Sequence, residues 1–357
     1  MTLSAKNPAT VAIVLCTHNG AHWIEEQLLS LFQQSHPVAV RVFDDASSDD
    51  TIARVKALGA GRDLQCIEHT KALGVVQNFA TGIQSVLDEG FEYIALADQD
   101  DIWTVDRIAV GMKVLLAAEN AQNTQNSEAD TSASLNASAS ASASASANVS
   151  PKAQLVHSDL SMVNAQNQAI HSSFMQWRRY RTKATDTLSL VLGQNGVMGN
   201  TVLMNRALAQ QALPFPEQLH VHDYWLAVVA DLLGERHYID QPLVRYRIHN
   251  KNVSNSSTSV SFGLRRMIKD WSFDRFVRRD FYLPYKEDSR LKAVECLLTD
   301  PRFKAINTDQ RATIHAFLRY LHFAESRISI AAMMWRSGFL RSGFAHRLRV
   351  FVNIMTT

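Results

Sequence analysis

The chain has 357 residues, 46% of them hydrophobic, and its 36 Lys and Arg against 34 Asp and Glu leave a formal charge of +2. That length and apolar fraction can bury a substantial core, enough for one large domain with a helical appendage or for two domains, while the near-neutral balance and the lack of a basic patch interleaved with aromatics exclude a nucleic-acid binder. Three widely spaced cysteines, Cys16, Cys66 and Cys296, fit neither a disulfide framework nor a zinc site and point to a reducing cytoplasm.

The predicted elements alternate from the start. VAIVL is followed by a helical pattern from Ala21 to Gln34, then VRVF, a helix from about Asp49 to Leu58, LQCIEH, a helix from about Val75 to Leu87, and YIALA. Short apolar strands separated by helix-length segments are the mark of β-α-β units, hence of a mainly parallel sheet covered on both faces. Next come a helix ending near Ala118 and an Ala- and Ser-rich stretch, about 119–152, whose small side chains bury too little area to offset backbone ordering; it is read as a disordered insert. Order resumes with the strand AQLVHSDL and a Gly-punctuated stretch, GQNGVMGNTVLMN. The helix VHDYWLAVVADLL follows, and HYIDQPLVRYRIH reads as two short strands joined through Pro242.

Past about Asn255 the pattern turns helical and basic, so the chain divides into a first domain, 1–255, and an extension, 256–357. The stretch from Arg327 to Thr357 carries five arginines and no acidic residue among Met, Trp, Phe and Leu; this composition suits either a helix on an anionic membrane surface or a packed helix with a solvated basic face. The N-terminal MTLSAKNPAT has no apolar segment of a secretion signal, and no run of about 18 apolar residues is present to span a membrane.

In a parallel sheet ligands sit beyond the carboxyl ends of the strands, which puts THNG, DDASSDD and DQDD on one rim. The carboxylates of DQDD can share a hard divalent cation that keeps positions open for phosphate oxygens, or they can cap the helix that follows. Within FDDASSDDT, Asp49 or Asp50 suits a helix cap. Asp45, at a strand end, suits acceptance of hydrogen bonds from a nucleotide. CTHNG lets backbone amides approach a ligand through its Gly, and it lacks both the lysine of a P-loop and the three glycines of a dinucleotide fingerprint.

These segments, with ALGVVQNF, GNTVLMNRALAQQALP, HDYWLAVVA and YRIHNKN, stand in the order seen in family 2 glycosyltransferases, and the chain most resembles the bacterial rhamnosyltransferase-like branch over residues 11 to about 255. The resemblance implies the GT-A nucleotide-diphospho-sugar transferase fold, an α/β, Rossmann-like mixed sheet, here with a C-terminal helical extension. It implies that Asp45 contacts the base, that Cys16, Thr17, His18 and Asn19 line the same pocket, and that Gly74 and Asn78 approach the nucleotide. Asp98 and Asp100 match the family's D-x-D, the first near the ribose and the second on a Mg2+ or Mn2+ ion. His249 matches a histidine that completes the metal or diphosphate site in some relatives, Asp223 matches the catalytic carboxylate, and Gly196 to Thr201 floors the sugar pocket.

Trp177, with Arg178, Arg179 and Arg181, is a candidate acceptor surface or a plain surface helix. The function expected from the resemblance is an inverting, metal-dependent transfer of a sugar, L-rhamnose from dTDP-rhamnose, to a lipid-linked saccharide acceptor. The setting expected is bacterial surface polysaccharide synthesis, in the cytoplasm or at the inner face of the plasma membrane with peripheral contact through the C-terminus. The alternative is a nucleotide-sugar-binding protein without turnover.

Overall fold

The structure, a computed structural model, describes residues 11–136, 151–182, 187–217, 219–249 and 289–322, with isolated positions between 326 and 339. It opens with the alternation read from the sequence: β1 (Val11–Thr17), α1 (Ile24–Phe32), β2 (Val38–Asp44), α2 (Thr51–Gly59), β3 (Leu64–Glu68), α3 (Val75–Asp88) and β4 (Tyr93–Asp98). After β5 (Ile102–Trp103) and α4 (Arg107–Asn136) follow β6 (Ala153–Asn164), β7 (Ala169–His171), α5 (Phe174–Arg178), α6 (Thr187–Gln194), β8 (Leu203–Asn205), α7 (Arg206–Ala212), α8 (His222–Leu233) and β9 (Gly234–Ile248). The helices α9 (Ser289–Thr299) and α10 (Thr308–His322) complete the described elements.

Among the described residues the strands form one mixed sheet in the order β3-β2-β1-β4-β8-β6-β9-β5, with β7 beside β6. The strands β3, β2, β1 and β4 run parallel, β8 is antiparallel to both β4 and β6, and β9 is parallel to β6. The central strand β1 shows why its sequence is apolar throughout: it is buried on both faces. Ala12, Val14 and Cys16 enter one core with α3, α8 and the C-terminal helices, while Val11, Ile13 and Leu15 enter the other with α1 and α4. Strand alternation thus feeds two cores from one segment.

Three expectations are corrected. The insert is not disordered from about 119: α4 continues to Asn136, because the run after Gly111 holds neither Gly nor Pro and each further residue of an established helix gains a backbone hydrogen bond. The insert residues 137–150 lie outside the described residues. HYIDQPLVRYRIH is one strand, not two. Its register against β6 slips between Ser158 and Leu160, where Asp159 pairs with Pro242 and Leu160 with Val244, so the proline is accommodated as a bulge rather than a strand end. Neither Asp49 nor Asp50 caps α2 in the ordinary way. Asp50 occupies the cap position without a side-chain bond, and Asp49 instead accepts from the Thr51 amide at 3.0 Å and the Ala21 amide at 3.1 Å.

The extension is helical where it is described, and α9 and α10 bury Val294, Leu297, Ile314 and Phe317 in the same core as α8. Phe303, between them, meets Trp225 edge-on at 5.6 Å, and Arg302 donates to the carbonyls of Ala212 and Pro214 at 3.2 and 3.1 Å. Among the described residues no helix is long and apolar enough to cross a membrane. The candidate membrane-surface segment after Arg327 lies almost wholly outside them.

Candidate active site

The carboxyl ends of β1, β2 and β4 open on one rim, and the start of α8 and the end of β9 reach it from the other half of the sheet. At the end of β1, Thr17 is buried and donates to Asp44 at 2.8 Å, and Cys16 is buried with its thiol pushed well up by burial and by Asp98 and Asp45. His18 and Asn19 are exposed, as a ligand-facing turn requires. Gln99 fastens that turn by accepting from the His18 amide at 2.8 Å and donating to the His18 carbonyl at 3.0 Å. His18 Nδ1 lies 2.7 Å from the Asp45 carbonyl, and Asn19, at φ 49°, accepts from the Ser48 amide at 2.8 Å. A Cβ on Gly20 would lie 2.1 Å from Gln99 Oε1, so glycine is what lets the acidic loop close on the turn.

Asp45 and Asn78 have work within the protein. Both oxygens of the buried Asp45 carboxylate accept backbone amides, Leu73 at 2.5 Å and Gly74 at 2.9 Å, and so tether the loop that starts α3; Gly74 adopts φ 82° there. Asn78 is 2% exposed and donates to the Phe43 carbonyl at 2.9 Å, with His69 Nε2 3.1 Å from its oxygen. Its side chain has no exposed face for a nucleotide, whereas the backbone of Gly74 has one.

The acidic loop after β4 gathers the strongest charge. Burial, then Asp100, then Asp223 push Asp98 up to about 7. Asp100 Oδ2 lies 2.7 Å from His249 Nε2, which joins two residues far apart in the chain. Asp101 faces inward, fully buried; it accepts from the Asn200 amide side chain and, at 3.3 Å, from the Arg247 backbone, and burial with Asp100 and Asp98 drives it well above the carboxylate range. Trp103 is buried with the Arg107 guanidinium 3.2 Å from its ring centre, and it braces the loop by packing.

The end of β9 is locked by Arg247, which donates to the Asp100 carbonyl at 2.9 Å and to Glu26 at 2.5 Å and lies 4.5 Å over Trp23. Trp23 in turn stacks on His249 at 5.2 Å. Among the described residues no three His, Cys, Asp or Glu side chains are close enough to enclose an ion by themselves. Asp100 and His249 are nevertheless one oxygen and one nitrogen side chain that could hold a cation together, beside an Asp98 whose charge burial and then Asp100 disfavour.

Asp223 sits in the first turn of α8. Asn195 donates to one oxygen at 3.1 Å and the Gly199 amide to the other at 2.9 Å. Burial outweighs these bonds and pushes its pKa up to about 6. Its charge contributes to raising Asp98, so the candidate base lies within electrostatic reach of the D-x-D. Gly199, Asn200 and Thr201 form a short 3-10 turn beside it. The helix α5 is capped by Ser173, which accepts from the Gln176 amide at 3.1 Å, and it leaves Trp177 37% exposed. Gln194 ties this region to the base by accepting from the Arg181 amide at 3.1 Å and donating to its carbonyl at 2.6 Å, next to Asn195.

Sequence reasoning missed Asn195, Gln99 and the Glu26–Arg247–Trp23 cluster. Gln99 was visible as the middle residue of D-x-D; the others join positions dozens to hundreds of residues apart and leave no local signal.

A mixed sheet, parallel over β3, β2, β1 and β4 and acidic at its rim, places the chain in the α/β class. Residues 12–135 match the family model described as "Glycosyl transferase family 2". A dTDP-rhamnosyl transferase, RfbG of Shigella flexneri, is 35% identical over 98 residues, which cover 26% of this chain and 34% of the relative; the match thus spans about a third of that protein's length. S. aureus TarS 1-349 in complex with UDP-GlcNAc aligns with a TM-score of 0.50 at 12% identity over 97% of this chain and 89% of that one. Mannosyltransferase PcManGT from Pyrobaculum calidifontis, in complex with GDP-Man and Mn2+, aligns at 0.47 with 16% identity over 89% and 87% of the two chains. The fold is GT-A.

Proposed function

We propose that this chain transfers a sugar from a nucleoside diphosphate sugar to a hydroxyl of a saccharide acceptor, with inversion at the anomeric carbon. The observation that carries the reading is the meeting of Asp98, Asp100 and Asp223 at one rim, with Asp223 held by two hydrogen-bond donors and poised near 6. An acceptor hydroxyl is a poor nucleophile at neutral pH. The Asp223 carboxylate takes its proton while the oxygen attacks the anomeric carbon and the bond to the diphosphate breaks, the electron pair leaving with the nucleoside diphosphate.

Cys16, Thr17, His18 and Asn19 line the nucleotide pocket, and Asp98 receives the ribose. Asp45 and Asn78 act there through the backbone they hold, presenting the Gly74 loop to the donor. Asp100 and His249 would hold a Mg2+ or Mn2+ ion, whose chemistry is to neutralise charge on the departing diphosphate. The donor we favour is dTDP-L-rhamnose, supported by the Shigella relative, and the acceptor a lipid-linked saccharide of a bacterial surface polysaccharide, met at the cytoplasmic face of the membrane.

The test is release of nucleoside diphosphate from a panel of sugar nucleotides, with Mn2+ or Mg2+, in the presence and absence of saccharide acceptors. Acceptor-stimulated release is expected. Tight donor binding with no release under any condition would favour a binding protein without turnover.

A further inference from the structure

His222 immediately precedes Asp223 at the start of α8 and is only 8% exposed. Its imidazole lies flat against Phe79 of α3, ring centres 4.1 Å apart and planes 26° from parallel. The buried Nε2 has no hydrogen-bond partner among the described residues, so the contacts that hold the ring there are those of its shape. What the ring presses on is Gly199: a Cβ built there would lie 2.7 Å from Nε2 and 3.2 Å from Cε1. The Gly199 amide is the one that donates to Asp223 Oδ2.

We propose that His222 is a positioning residue for Asp223, its imidazole wedged between Phe79 and Gly199 so that the Gly199 N–H stays seated on the carboxylate. The five-membered ring fills the space that any side chain at 199 would need, and so fixes the backbone turn from one side while Asn195 fixes the carboxylate from the other. Burial holds the imidazole neutral, with a pKa lowered to about 4, so it adds no charge beside the base through the neutral range. Among the described residues, Asp98 on β4 is a titratable group that feels the charge of Asp223. The proposal rests on the assignment of Asp223 as the base for its functional meaning, but its geometry can be tested without turnover.

The test uses the full chain. In His222→Ala the Gly199 amide should exchange with solvent at least about tenfold faster than in wild type while the amides of the middle of α8 keep their protection. Loosening spread over all of α8 would reveal ordinary packing instead, and an unchanged Gly199 amide would overturn the proposal. In Gly199→Ala the added methyl meets the ring and drives the N–H off the carboxylate. The Asp223 titration, read by difference infrared spectroscopy against Asp223→Asn, should then rise by about one pH unit, and the double variant Gly199→Ala with His222→Ala should bring it back. A titration that stays put in Gly199→Ala, or fails to return in the double variant, would also overturn it. If dTDP-L-rhamnose is turned over, His222→Ala should lower kcat severalfold and leave the donor KM unchanged. If wild type turns over no sugar nucleotide, the proposed function fails, while amide exchange and titration still decide the role of His222.

Discussion

At the scale of single residues, the candidate site separates carboxylates proposed to act from those that brace. Asp223 is desolvated and close to neutrality, so its pH behaviour has a definite sign. In the proposed mechanism the ionised form is the base, burial raises the pKa to about 6, and kcat should therefore fall about tenfold per unit as pH drops below 6, with a plateau above it. A pH-rate profile checks this, and a flat profile between 5 and 7, values bracketing the shifted pKa, would assign the base elsewhere. Asp223→Asn keeps the size and loses the basicity; donor affinity should persist while turnover falls at least about a hundredfold. Asp100→Ala removes one of the two donors of the Asp100–His249 edge, and donor binding measured by calorimetry should lose its dependence on Mn2+. The proposed roles of Asp100 and Asp223 come from the sequence, through motif and resemblance. The partners of Asp101 were not legible there, because Asn200 and Arg247 come from elements that meet it only in the folded chain.

At the scale of elements, two features are open to test. Helix α3 crosses β1 and β2 so closely that a Cβ on Gly82 would fall 2.4 Å from Val14 Cγ1 and 3.0 Å from a Phe43 ring carbon. Gly82→Ala should therefore destabilise the fold by about 1–3 kcal/mol in denaturant titration, despite alanine's better helix propensity. The outer part of α4 is different. Gln122 is buried and accepts from the Lys152 amide at 3.3 Å, whereas the run beyond it is rich in Ala, Ser and Asn. Removing 126–148 should change stability by no more than about 0.5 kcal/mol, and a deletion that also takes Gln122 should cost more. The β-α-β alternation of the first 118 residues was readable because each strand and helix carries its own periodicity. The slip in β9 was not, since register is a property of two strands and one sequence segment shows only its own pattern.

At the scale of the whole molecule, the helices beyond residue 288 share a core with α8, the element that carries Asp223. The sequence division at about 255 marks where the family resemblance stops rather than where packing stops. Unfolding of α9 and α10 should accordingly accompany loss of the catalytic half in a single transition. Bound donor should protect both together: at a hundredfold excess over Kd, dTDP-L-rhamnose with Mn2+ should add about 2.7 kcal/mol of stability in a thermal-shift assay. Stabilisation by a different nucleoside diphosphate sugar, with none from this one, would redirect the donor assignment.

The irregularity at Pro242 carries a consequence of parity. Arg247 and His249 come to the rim from the far side of that slip, and along a strand the two sides of the ribbon alternate with each residue. Deleting Gln241 alone should turn the segment over, carrying the imidazole away from Asp100, whereas removing Asp240 and Gln241 together restores even spacing. The mixed sheet thus tolerates length change there in pairs, and an odd step should part His249 from Asp100.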